Sequence, residues 1–89
     1  AYKKETLFIV TDRPDDVYKE IYEVTNHSAT EFAATGCYSN KQRKMLYSVV
    51  SSSEAKVLVS RVQKADPEAF INVIKTDFLE GHFYQKVDY

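Results

Sequence analysis

Apolar positions along the chain fall into four short strand-like runs and two stretches of helical period. Residues 7–11 (LFIVT) are apolar and partly β-branched, which predicts a strand. In the next segment, Asp12 is expected to cap a helix, Pro14 is tolerated in its first turn, and Asp15 and Asp16 suit the positive end of its dipole. Val17, Ile21 and Val24 then recur at helical spacing, flanked by Tyr18 and Tyr22, and Asn26-His27-Ser28 ends the helix within residues 25–28. Residues 30–38 and 44–51 predict a second and third strand joined by a hairpin. Ser51-Ser52-Ser53-Glu54 is a capping box, opening a second helix with its apolar stripe at Ala55, Leu58, Val59 and Val62. Lys64 lies in the last turn of that helix, and Asp66-Pro67 stops it. Residues 70–75 read as a fourth strand, and 83–87 in the mixed tail as a short edge strand.

The order β-α-β-β-α-β is the ferredoxin-like, or split βαβ, pattern of an α+β domain. It predicts one antiparallel sheet in spatial order 4-1-3-2 with both helices on one face. A strand covered on one face alternates apolar and polar residues, but the two central strands do not. Leu7 and Ile9 point one way and Phe8 and Val10 the other; Leu46 and Val50 oppose Met45, Tyr47 and Val49. Helices cover one face only, so the second is expected to meet another subunit, the tail or a neighbouring domain. Leaving several such side chains wet forfeits about 1.5–3 kcal/mol each. Of the twelve aromatics (seven Tyr and five Phe), Phe8, Phe32 and Phe70 are expected to fill the core.

Length makes this point sharper. The 89 residues form one domain, whose size limits its own core. Cys37 is the sole cysteine, so no disulfide supplements that core and a reducing compartment fits. The net charge of −1 gives no overall electrostatic footprint for nucleic acid or anionic lipid. The longest apolar run, four residues, falls far short of the about 20 needed for a membrane span. The start at Ala1 reads as a domain cut from a longer protein.

From Ser28 to Phe83 the order of features becomes specific. Thr30 opens the second strand and Gly36-x-Tyr38-Ser39 the hairpin. Leu46-Tyr47 and Val49-Val50 mark the third strand, and Glu54 the second helix. Asp66-Pro67-x-Ala69-Phe70 leads into the fourth strand, and Gly81-x-Phe83 closes the unit. In these features the chain resembles the soluble C-terminal domain, of unknown function, of the YitT family of bacterial multi-pass membrane proteins. The resemblance implies a ferredoxin-like or PII-like module on the cytoplasmic side of the cell membrane, attached after transmembrane helices. It implies no catalytic residues. Ser28 and Cys37 stand where the family usually carries glycine, which stiffens the hairpin base.

The first candidate ligand site is the hairpin. Gly36 would let a ligand approach the backbone, Tyr38 would stack on it beside Ser39, and Lys41, Arg43 and Lys44 would hold an anion, with Thr30 at the start of the strand. The plainer reading is a solvated turn whose charges oppose aggregation. The second candidate is Glu80-Gly81-His82-Phe83, with Glu80, Gly81 and Phe83 as contacts; its plainer reading is a turn followed by an anchoring aromatic. His27, His82 and Cys37 lack zinc-site spacing, so neither metal nor cofactor is expected. Cys37 reads as a small strand residue.

These features favour a non-enzymatic regulatory or assembly domain, homo-oligomeric through its helix-free face and sensing a small anionic ligand. An RNA-recognition module shares the element order, but "RKMLYSVV" lacks the glycines of its third-strand motif. An acylphosphatase-like hydrolase needs an arginine in a phosphate-cradling loop. In "TDRPDD", Arg13 sits among three carboxylates with no glycine.

Overall fold

The computed structural model describes residues 3–77 and 79–81. Six elements follow in the expected order: β1 (Lys4–Thr11), α1 (Pro14–Thr25), β2 (Thr30–Thr35), β3 (Gln42–Ser51), α2 (Ser52–Ala65) and β4 (Phe70–Thr76). They build one sheet in order β2-β3-β1-β4, with every neighbouring pair antiparallel. This is the ferredoxin-like α+β fold anticipated from the pattern, with β1 and β3 central. The expected edge strand at 83–87 lies outside the described residues.

Register sorts the side chains by face. Leu7, Ile9, Leu46 and Val50 point toward the helices and are buried with Val17 and Ile21 of α1 and Ala55, Leu58 and Val62 of α2. Each such burial contributes about 1.5–3 kcal/mol. Arg61 ties the helices together outside this core, donating to Glu20 and Glu23 at 2.7 Å each.

The ends of α2 follow the sequence closely. Glu54 N donates to Ser51 Oγ at 3.2 Å, and Ser51 N donates to Glu54 Oε1 at 2.8 Å, closing the capping box. At the other end Asp66 is the C-cap, and its backbone N–H bonds Val62 O. The C-terminus of α1 is also as read, with Asn26 in the left-handed region at φ 58°.

Its N-terminus differs. Arg13, not Asp12, is the N-cap, and no side chain caps this helix. Asp12 instead turns to the hairpin, where Lys41 and Arg43 offer charge-assisted bonds. The hairpin also turns earlier in the chain than expected. β2 stops at Thr35, because pairing of Thr35 with Gln42 and of Gly36 N with Lys41 O (2.8 Å) leaves only residues 37–40 to reverse the chain. Cys37 is therefore an exposed turn residue rather than a strand residue. Asn40, at φ 57°, supplies the left-handed position.

Candidate functional site

Two surfaces collect the chemistry that the sequence points to. The first is a cleft of about 410 Å³ where the end of β1 meets the base of the hairpin. Thr11, Asp12 and Pro14 form one side; Ala33 and the run Lys41, Gln42, Arg43 and Lys44 form the other. Asp12 follows Thr11, which pairs with Lys44, so it stands beside Arg43. Its carboxylate accepts from Lys41 Nζ at 2.8 Å and Arg43 Nε at 3.1 Å. The Lys41 ammonium is the main cause holding the Asp12 carboxyl below its ordinary 3.8; Arg43 adds to this, and partial desolvation opposes it. Lys44 Nζ lies 3.7 Å from Glu31 Oε2. All three hairpin cations thus have an internal counter-charge.

Of the expected ligand contacts, the structure brings Lys41, Arg43 and Lys44 together and places Gly36, Tyr38 and Ser39 in the adjoining turn. Tyr38 is fully exposed at the tip. A Cβ at Gly36 would meet Ser39 Oγ at 3.4 Å and the Lys41 backbone beyond it, ordinary van der Waals contact. Thr30 is not part of this group; it sits at the far end of β2, opposite Tyr47. Glu80 and Gly81 follow β4, whose last residue pairs with Lys4 at the opposite end of the sheet. Gly81 takes φ 145°, in keeping with the turn reading, and Phe83 lies outside the described residues. Among the described residues no three His, Cys, Asp or Glu side chains gather as metal ligands.

The second surface is the helix-free face of the sheet. Register places Phe32, Met45, Val10 and Phe70 in one row across all four strands. Thr30, Tyr47, Phe8 and Asn72 form the next row, and Val49, Thr6 and Ile74 the third. None of these eleven residues is charged. Phe8 and Tyr47 pack as a tilted pair with centroids 5.5 Å apart. Val49 is buried, whereas Phe32, Phe70 and Ile74 remain 45%, 65% and 45% exposed. Phe8, Phe32 and Phe70 therefore do not fill the core as expected. Strand parity directs all three away from the helices, and Phe32 and Phe70 lie on the edge strands β2 and β4. Asp12 with Arg43 borders the patch at one end and Lys4 at the other.

Sequence reading missed Asp12 as the group that organises the hairpin cations. The signal was available in the parity of β1, which puts Asp12 on the same face as Val10. Only the register, however, brings Arg43 opposite.

This arrangement defines a small α+β domain of ferredoxin-like, PII-like topology, with an apolar sheet face and no helix long and apolar enough to cross a membrane among the described residues. The chain belongs to the family described as "Uncharacterized protein conserved in bacteria (DUF2179)", which matches residues 27–81. It is 32% identical over 82 residues to the UPF0750 membrane protein YitT of Bacillus subtilis, covering 92% of this chain and 29% of that protein. It is 31% identical over 86 residues to an uncharacterized protein from the cccA 5′ region of Bacillus sp. (strain PS3), covering 97% of this chain and 57% of that protein. The chain thus spans well under two thirds of either relative. Among solved structures, a functionally unknown protein from Pediococcus pentosaceus superposes with a TM-score of 0.76 at 14% identity, covering 92% of this chain and all of the other. A PII-like protein from Thermus thermophilus superposes at 0.67 with 20% identity, covering 84% and 89%. These two likenesses concern the fold alone.

Proposed function

We propose that this chain is a non-catalytic regulatory and assembly domain on the cytoplasmic side of a bacterial multi-pass membrane protein, and that it pairs with a second copy of itself through the helix-free sheet face. The observation that carries this reading is the uncharged three-row patch with Phe32 and Phe70 standing bare at its edges. Strand spacing near 4.8 Å and a same-face repeat near 6.8 Å give the patch a footprint of about 400 Å². A patch of that size equals the largest on a typical monomer and is often functional. Two such faces together give about 800 Å² of footprint, in the range of weak or transient interfaces. Relatedness to YitT supports the membrane context.

Two finer readings have less support. A small anionic ligand in the hairpin cleft would have to displace Asp12, which already engages Lys41 and Arg43. RNA stacking on Phe8 and Tyr47 has less support because the net charge is −1 and the third strand lacks the glycines of the RNA-recognition motif.

Sedimentation velocity over a concentration series tests the pairing. The wild-type chain is expected to dimerise reversibly, and Phe32→Asp with Phe70→Asp to abolish this while circular dichroism stays unchanged. A wild-type chain that remains monomeric throughout overturns the reading.

A further inference from the structure

The sheet carries basic residues at both ends, and the two ends differ in how that charge is balanced. At the hairpin end Lys41 and Arg43 share Asp12, and Lys44 faces Glu31. At the opposite end a second cleft, of about 320 Å³, is lined by Lys3, Lys4, Ser52, Lys75, Thr76 and Asp77. Register builds it: Lys4 lies between Ser51 on β3 and Thr76 on β4, with Lys3 and Lys75 next to it along their strands. Lys3 and Lys75 are exposed, and neither has an ion-pair partner among the described residues. Glu5 stands opposite Lys75 in the register without closing an ion pair with it, and Asp77 is the one carboxylate in the lining.

The N-terminus of α2 opens at this end, but most of its amides are already engaged. Ser51 N bonds Glu54 Oε1, Ser52 N bonds Lys3 O at 3.2 Å, and Glu54 N bonds Ser51 Oγ. Attraction for an anion here comes from the ammonium groups, whose flexible stems let them reach outward. The helix dipole adds to it.

We infer that this lysine-lined pole is a contact surface for the phosphate headgroups of an anionic bilayer. The inference rests on the reading that the domain serves a membrane protein. β1 begins at this pole, so a membrane portion joined ahead of it by a short connection would lie on this side. Lysines close to an anionic surface each strengthen partition by about fivefold. Tethering raises the local concentration, so modest intrinsic affinity suffices to orient the domain. The hairpin end, where Lys41 and Arg43 share Asp12 and Lys44 faces Glu31, has each cation in an ion pair and faces away.

The test is flotation of the 89-residue chain with phosphatidylcholine vesicles, with and without phosphatidylglycerol, at low and at high salt. Partition is expected only with phosphatidylglycerol and is expected to fall with salt. Lys3→Gln and Lys75→Gln should each weaken it about fivefold, while Lys41→Gln with Lys44→Gln leaves it unchanged. Circular dichroism checks that every variant is folded. The inference is overturned by a chain that does not float with phosphatidylglycerol, or by hairpin substitutions as damaging as those at the pole. It is also overturned if inorganic phosphate raises the thermal midpoint through Lys3 and Lys75 while vesicles do not bind, which makes the cleft a small-anion site. Sedimentation of the same samples reports the pairing separately, so failure on vesicles leaves the assembly reading intact.

Discussion

Thr11 Oγ1 donates a 2.5 Å hydrogen bond to Asp66 Oδ2, joining the end of β1 to the residue that ends α2 across 55 positions of sequence. Both side chains are buried. Thr11 Oγ1 also accepts from Arg13 N at 2.9 Å, and Asp66 Oδ1 from Glu68 N at 3.0 Å. One pair of side chains thus sets the exit from β1, the entry to α1 and the turn into β4. Thr11→Val removes the donor and leaves a buried carboxylate under-bonded. A hydrogen bond to a charged group is worth about 1.5–3 kcal/mol, and a loss in that range is expected in urea unfolding. Asp66→Ala should cost a similar amount, since it frees the Glu68 amide as Thr11→Val frees that of Arg13. Equal stability of Thr11→Val and wild type would show that the bond carries no net weight.

The Asp12 cluster predicts a dependence on pH and salt. Its carboxyl is depressed below the unfolded value of 3.8 by Lys41 first, with Arg43 adding. A depressed acid stabilises the fold fully above the unfolded value, and the contribution is lost as pH falls through the folded one. Asp12→Asn is therefore expected to be less stable than wild type at neutral pH. The gap should close as pH drops below 3.8, and it should also narrow in high salt, because the cluster is exposed and screened. Parallel stability curves for the two proteins down to acid pH would refute this.

The capping box gives a third measurable effect. Ser51→Ala removes the acceptor for Glu54 N and should lower stability by about 0.5–2 kcal/mol. Ser53→Ala serves as the control. Ser53 Oγ lies 3.2 Å from Ser51 Oγ but accepts no backbone amide of the helix. A loss at Ser53 matching that at Ser51 would remove the cap as the cause.

Much of the fold is local chemistry and was legible as such. Capping-box spacing located the start of α2 because the two bonds join residues three apart. Asp66-Pro67 located its end, and Asn26 the end of α1, through backbone preferences that need no distant partner. Asp12 misled for the same reason. A carboxylate beside a helix start is a good local cap, but two cations 29 and 31 residues away form stronger, charge-assisted bonds with it. The strand limits at the hairpin were misjudged because propensity does not say where a ladder closes. The pairing of Gly36 with Lys41 does.

The sequence by itself determined the order of elements, the helix boundaries set by caps and prolines, and the apolar character of both sides of β1 and β3. Each follows from spacing within a few residues. The tertiary structure decided which charges neutralise one another, which lysines remain unbalanced, and that Phe32 and Phe70 flank one continuous row with Val10 and Met45. Those outcomes depend on register between segments distant along the chain, and a one-residue slip would have sent every side chain to the other face.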